Sequence, residues 1–270
     1  MTILQSFILG IIQGITEFLP ISSSGHLVIF ESWFGLQVTE LRSFDVVVHI
    51  GTLLAILIYF RKDILDIFKQ IFRGDFRMTG FLILATIPAV IAGFTMQDVL
   101  DGYFRSSEKV AFAMIGCAVL FVIAEYFGKR NGLNKPQNEA ESVPGHTLKL
   151  TWPKIIFIGL LQSVALIPGV SRSGSTISAG LMVGLSRTEA ARFSFLLGSI
   201  AIFGAGLLTA KDVISDGLYF PEISVAITGF VASLLAGYFS VTFLMKFLKN
   251  HSLHVFALYL VILAGSVFLF

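Results

Sequence analysis

Three short runs hold the residues that could do chemistry. Gln13 and Glu17 stand four apart, which puts them on one helix face. Ser22-Ser23-Ser24-Gly25-His26 follows Pro20 and Ile21. Pro168-Gly169-Val170-Ser171-Arg172-Ser173-Gly174-Ser175-Thr176 packs one guanidinium, four hydroxyls and two glycines into nine residues. Glycines let backbone N–H groups converge, hydroxyls donate, and arginine binds phosphate oxygens with two parallel hydrogen bonds. The last run therefore reads as a phosphate cradle. The first two offer a carboxylate, an imidazole and several hydroxyls, which is an acid/base set with candidate nucleophiles.

These runs lie in a very apolar chain. Of 270 residues 55% are hydrophobic and 13% charged, and mean hydropathy is +0.85. Soluble domains carry about 25% charged residues, so a polytopic membrane protein is expected. Irregular polar backbone at membrane depth is tolerated only where it is buried in protein or lines a cavity. Ionisable residues there are candidate functional residues by default. Cys117 is the single cysteine, so a disulfide within the chain and a cysteine metal site are excluded. No Lys or Arg precedes Arg42, so the first residues are not read as a cleavable signal peptide.

Six spans are expected at 44–60, 79–96, 109–127, 193–210, 223–244 and 255–270, with Pro88 kinking the second. Residues 1–34 and 152–185 are apolar but interrupted by the Ser/Gly runs, and read as two re-entrant helix pairs. Basic residues concentrate in loops 61–78, 128–154 and 245–253, and loops 97–108 and 211–222 are poor in them. The positive-inside rule then places the first set in the cytoplasm and brings the two re-entrant pairs in from opposite faces.

Shifting the chain by 149 positions lays Gln13 on Gln162, Ser22 on Ser171, Ser24 on Ser173, Gly25 on Gly174 and Phe44 on Phe193. The expected fold is thus all-α, with an inverted repeat of halves 1–127 and 152–270 linked by a cytoplasmic loop at 128–151. Such repeats place a site where their broken helices meet. Ser22–Ser24 and Ser173–Ser175 are favoured N-cap types, so each tip would aim helix N–H groups at an anion. In the repeat Ser23 faces Arg172, His26 faces Ser175 and Glu17 faces Leu166. One tip carries acid/base groups and the other the fixed positive charge, a division suited to phosphoryl transfer.

Glu17 could serve as general base, orienter of His26 or metal ligand; Ser22, Ser23 or Ser24 could be the nucleophile, with Ser23 preferred. Arg172, Ser173 and Thr176 would hold phosphate oxygens. His49 reads as a hydrogen-bonded interior residue. Asp45 reads as lining the outer vestibule or capping its helix. Arg187 and Arg192 read as interfacial anchors, and Arg61 and Lys62 as snorkelling to headgroups.

Gln13-x-x-x-Glu17, the serine run ending in Gly25-His26, and Pro168-Gly169-x-Ser171-Arg172-Ser173-x-x-Thr176 resemble the signatures of the undecaprenyl pyrophosphate phosphatases, the bacitracin-resistance membrane phosphatases. The resemblance covers essentially the whole chain. It implies release of the terminal phosphate from a C55 polyprenyl pyrophosphate, giving the monophosphate carrier of cell-wall synthesis. It also implies a multi-pass protein of the bacterial cytoplasmic membrane, a site open to the outer side, and help from a divalent cation, magnesium or calcium. Matched to those motifs, Glu17, Ser23, His26 and Arg172 are catalytic candidates, and Gly169, Ser171, Ser173 and Thr176 bind substrate phosphate. Gln13, Ser22 and Ser24 are secondary candidates. Many family members carry Glu where this chain has Gln13, which leaves Glu17 as the carboxylate for a metal.

The expected partners are the polyprenyl pyrophosphate and membrane lipids, with a homodimer left open and no nucleic acid. The competing reading is a secondary transporter or flippase for a lipid phosphate or phosphate anion, since inverted repeats and midplane anion sites serve those too. It would need Arg172 and the helix ends, but not Glu17, Ser23 and His26 together. The other large class of membrane lipid phosphatases carries a histidine six residues beyond its motif arginine. Here Ser178 lies six beyond Arg172 and Phe193 six beyond Arg187.

Overall fold

The computed structural model describes residues 1–36, 41–96, 107–131, 150–215 and 221–269. Residues 97–106 of the loop expected at 97–108, 132–149 of the linker at 128–151 and 216–220 of the loop at 211–222 fall outside them. The described residues form eleven helices: α1 (Ile3–Phe18), α2 (Ser23–Trp33), α3 (Arg42–Tyr59), α4 (Arg61–Phe72), α5 (Arg77–Thr95), α6 (Ser107–Arg130), α7 (Trp152–Val164), α8 (Arg172–Met182), α9 (Arg187–Ser215), α10 (Ile223–Asn250) and α11 (His254–Leu269).

Four of these are long and apolar enough to cross a membrane: α5, α6, α9 and α10. The pair α3 and α4 passes the same test only together, across a 73° bend, and α11 is a shorter apolar helix. The chain is a polytopic membrane protein. Helix α5 runs without a break through Pro88. Helix α4 occupies much of what reads as a basic loop at 61–78. Its charges are dense, but Ile64, Ile67 and Ile71 recur at helical spacing, while Leu65, Phe68 and Phe72 stay exposed.

Two helix–turn–helix pairs, α1–α2 and α7–α8, carry the Ser/Gly runs at their turns. Helix α1 begins with a capping box: Gln5 N–H donates to Thr2 Oγ1 at 3.2 Å, and Thr2 N–H to Gln5 Oε1 at 2.7 Å. It stops at Phe18, because Leu19 is extended and Pro20 follows. Its buried face (Ser6, Gly10, Gln13, Gly14 and Glu17) recurs at helical spacing and lies against α10.

Small residues make that seam. A Cβ on Gly10 would stand 2.6 Å from the Gly229 carbonyl oxygen, and one on Gly14 2.6 Å from Ala236 Cβ. Ser6 Oγ donates to Val225 O at 2.6 Å, and Ser240 Oγ to Ile15 O at 2.9 Å. Helix α7 lies against α5 by the same device. A Cβ on Gly159 would stand 2.7 Å from Ala85 O, and Gln162 Nε2 donates to that oxygen at 3.2 Å.

Phe18, Phe60 and Phe195 join α1, the end of α3 and α9 in one aromatic cluster, with centroids 5.6 and 6.0 Å from Phe195. Away from the tips, Glu125 of α6 takes both arms of the Arg187 guanidinium at 2.9 and 2.6 Å and the Leu253 N–H at 2.8 Å. One buried carboxylate thus ties α6, α9 and the start of α11. Arg192 of α9 pairs with Asp63 of α4 at 3.2 Å. Both arginines meet carboxylates within the protein, in place of the headgroup anchoring expected for them.

Candidate active site

The two turns meet. Glu17 is in the last turn of α1, one turn after Gln13, and α2 starts six residues on at Ser23. The reversal passes through Ser22 at φ +68°, a left-handed backbone that non-glycine residues rarely adopt. It brings Ser23 back beside Glu17: Ser23 Oγ donates to Glu17 Oε2 at 2.6 Å and Gln13 Nε2 to the same oxygen at 2.9 Å. Arg172, the first residue of α8, donates from Nη2 to Glu17 Oε1. Its Nη1 donates to Gly198 O of α9 at 3.0 Å. Gly198 bears no side chain where the guanidinium lies; a Cβ there would stand 3.3 Å from Arg172 Cζ.

Burial decides what this pairing is worth. The Glu17 side chain is 5% exposed and that of Arg172 25%. A charge desolvated to that degree costs several kcal/mol unless it is paired and hydrogen-bonded. Glu17 reaches that condition by accepting from Ser23, Gln13 and Arg172 together.

The α8 tip is capped at Ser171, two residues before the first of the serines that the sequence suggests. Ser171, extended at φ −70°, accepts the Gly174 N–H on its Oγ at 3.1 Å, so Ser173 and Ser175 lie inside the helix. The Ser173 hydroxyl lies 3.2 Å from Ser171 Oγ and donates to Leu19 O across the tips at 3.4 Å. Gly169 turns the chain at φ +96° against α6, where a Cβ would meet Val110 O and lie 3.1 Å from Ala113 Cβ. No other residue type fits that backbone without strain.

Other expected site residues point elsewhere. Thr176 Oγ1 donates to Arg172 O at 2.9 Å and lies 2.5 Å from Ser194 Oγ on α9. Ser24 is exposed. Ser22 Oγ is buried with no partner among the described residues. His26, 4% exposed, lies 2.8 Å by Nδ1 from Ser22 O and 2.7 Å by Nε2 from Tyr259 OH, with the two rings stacked at 5.7 Å. A carbonyl only accepts, so Nδ1 carries the hydrogen and Nε2 accepts from Tyr259. His26 therefore braces the α2 tip against α11, with no contact to Glu17.

The imidazole that does face Glu17 is His49. Its Nε2 stands 3.6 Å from Glu17 Oε2, and its Nδ1 lies 2.6 Å from Asp45 O. His49, Gly198 and Tyr259 are outside the expected site. An ionisable residue inside an apolar span was the available signal for His49; nothing in the sequence distinguishes Gly198 or Tyr259.

The donor set bears on a resident metal. Both Glu17 oxygens are engaged, one by a guanidinium, and the described residues hold no group of three His, Cys, Asp or Glu side chains. Glu17 in this arrangement is an ion-pair partner and does not fit a metal ligand.

Comparison with known proteins gives a consistent assignment. The family described as bacitracin resistance protein BacA matches residues 6–266. An undecaprenyl-diphosphatase of Rubrobacter xylanophilus is 38% identical over 276 residues, covering 98% of this chain and 97% of that protein. Another, of Trichlorobacter lovleyi, is 39% identical over 267 residues, covering 96% and 93%. A third, of Chloroherpeton thalassium, is 40% identical over 278 residues, covering 97% and 94%. With that extent of match and the polar tips in contact, the chain belongs to the bacitracin resistance protein BacA family.

Proposed function

We propose that this protein is an undecaprenyl-diphosphatase, hydrolysing undecaprenyl diphosphate to undecaprenyl phosphate and inorganic phosphate. The observation that carries the site assignment is the Arg172–Glu17 pair, which joins the two tips at one point. In phosphoryl transfer the protein's work is positioning and charge stabilisation. Arg172 and the first-turn N–H groups of α2 and α8 supply positive potential for the diphosphate. Ser171 and Gly169 shape the α8 tip, Ser173 offers a hydroxyl at the junction, and Thr176 fixes α8 to α9. Ser23 is the proposed nucleophile, its hydroxyl oriented by Glu17. Its attack on the terminal phosphorus releases the monophosphate carrier, and water then frees inorganic phosphate.

We assign no ligand for a magnesium or calcium ion to these residues; an ion that the reaction needs would arrive with the substrate. The isoprenoid tail lies in lipid between helices. The α1–α2 and α7–α8 pairs are read as re-entrant, in an inverted repeat whose six spans are α3 with α4, α5, α6, α9, α10 and α11. Two features support the repeat: α1 lies against α10 as α7 lies against α5, and Gly10 and Gly159 hold matching positions in those seams. The membrane is the bacterial cytoplasmic membrane, and the site opens to its outer face. The product is the carrier recycled for cell-wall synthesis. A transporter would use Arg172 and the helix ends equally well; the serine hydroxyl hydrogen-bonded to the buried Glu17 carboxylate favours chemistry.

The test is phosphate release from undecaprenyl diphosphate by purified protein in detergent, with and without chelator, beside Glu17→Gln and Arg172→Ala. Release by the wild type and its loss in both variants is expected. A folded wild type that releases none would return the protein to the transport reading.

A further inference from the structure

Beside the tips, α3 holds a ring nitrogen that the mechanism above leaves idle. His49 Nδ1 lies 2.6 Å from the Asp45 carbonyl, which can only accept, so Nδ1 carries the hydrogen in neutral imidazole. The Nε2 lone pair then faces Glu17 Oε2 at 3.6 Å. Two acceptors face each other across that gap, and a proton arriving on Nε2 turns the contact into an ion pair. Ser23 Oγ already donates to the same Oε2 at 2.6 Å. Hydroxyl, carboxylate oxygen and imidazole thus stand in a row.

Among the described groups Glu17 stands nearer the Ser23 hydroxyl than His49 does. Glu17 is occupied by three donors. His26 uses both ring nitrogens, on Ser22 O and Tyr259 OH, and is 4% exposed, whereas the His49 side chain is 30% exposed. His251 and His254 flank the turn between α10 and α11. From this geometry we infer that His49 is a catalytic residue, the proton acceptor for the attacking hydroxyl. The inference rests on the phosphatase reading above.

The step balances. Ser23 Oγ forms a bond to the terminal phosphorus, and its proton passes across Glu17 Oε2 to His49 Nε2. The bond from that phosphorus to the bridging oxygen breaks, and its electron pair stays on the departing lipid monophosphate. The imidazolium so formed is compensated by Glu17, as a carboxylate compensates the histidine of a serine hydrolase. Water then attacks the phosphoserine, the Ser23 oxygen takes back the proton from His49, and the water's protons leave with the phosphate.

The experiment measures kcat and KM for undecaprenyl diphosphate with purified wild type, His49→Gln and His49→Ala, all checked for folding by thermal shift. Glutamine keeps a hydrogen-bonding group of similar reach but cannot carry the proton. Both variants should lose on the order of 10²–10⁴ in kcat with KM within a few-fold. Added imidazole should restore part of the rate to His49→Ala and none to His49→Gln, a response that a merely structural role would not give. Near-wild-type kcat in folded His49→Gln would overturn the inference and leave the phosphatase reading intact. A folded wild type that releases no phosphate would overturn both.

Discussion

The Arg172 guanidinium closes on the Glu17 carboxylate across 155 residues of sequence. The pair is both a piece of the site and a fastening between two helix pairs, and the two roles separate by mutation. Arg172→Ala should cost about 10²–10³-fold in kcat, the scale for removing one transition-state donor. It should also cost stability toward the lower end of ~3–5 kcal/mol, because Glu17 is left buried and unpaired. Pairing Arg172→Met with Glu17→Gln should recover the melting temperature and leave turnover absent. A double variant no more stable than Arg172→Ala would show that the pair does not fasten the tips.

Ser23 donates to Glu17 at 2.6 Å. Ser23→Ala should lower kcat by at least about 10²-fold, the scale of a lost acid/base contribution, and lower the melting temperature by the loss of one of Glu17's three donors, ~1.5–3 kcal/mol. Trapping with radiolabelled substrate in acid should leave phosphate on wild-type protein and none on the variant. Equal labelling would move the nucleophile elsewhere.

The Glu125–Arg187–Leu253 junction touches neither tip. Arg187→Ala leaves a buried carboxylate with one backbone donor, at a cost of ~3–5 kcal/mol. The expected outcome is a lowered melting temperature with kcat per folded molecule unchanged. A selective loss of kcat would tie the junction to the reaction.

Gly169 combines φ +96° with a Cβ position that runs into Val110 O. Gly169→Ala should destabilise by more than about 1 kcal/mol, because its native backbone is incompatible with a side chain, and should displace Ser171 and Arg172. Thermal shift and phosphate release should fall together. Gly184, at φ +98° with open space around it, is the control: alanine there carries the backbone strain alone and should leave turnover intact.

Tyr259 tests whether His26 braces or reacts. Tyr259→Phe keeps the stacked ring and removes the hydroxyl on Nε2, at a cost of ~0.5–1.5 kcal/mol for one hydrogen bond. A bracing role predicts a small drop in melting temperature and kcat within a few-fold of wild type. A large kcat loss at unchanged stability would return His26 to the chemistry.

Residue types that are expensive in lipid were the legible part of this protein. Arg172, Glu17 and the serine runs stand out because an apolar chain has no cheap use for them, and the structure brings Glu17, Gln13, Ser23 and Arg172 within hydrogen-bonding distance. What pattern could not supply was direction. His26 sits three residues beyond Ser23, yet its ring turns toward Tyr259, because the left-handed Ser22 carbonyl captures Nδ1. His49 lies 32 residues beyond Glu17, and only the packing of α3 on α1 brings it there. The α8 cap fell to Ser171 over Ser173 because the extended residue after Gly169 and Val170 is the one placed to accept the Gly174 N–H. Helix α4 was hidden by its charge density, which lowers hydropathy without removing the helical spacing of its isoleucines.

Helix α1 has 16 residues, and Glu17 is next to last. At 1.5 Å per residue it spans about 24 Å, less than the ~30 Å hydrocarbon core. On the re-entrant reading proposed above, bilayer thickness is therefore a variable of this protein. A thicker membrane draws the charged tips farther from the headgroups, and a thinner one brings them within easier reach of water, with a mismatch cost of fractions of a kcal/mol per ångström. On that reading, longer surrounding acyl chains would make a diphosphate travel farther from the aqueous phase to meet Arg172, and lipid composition would tune access without touching a single side chain.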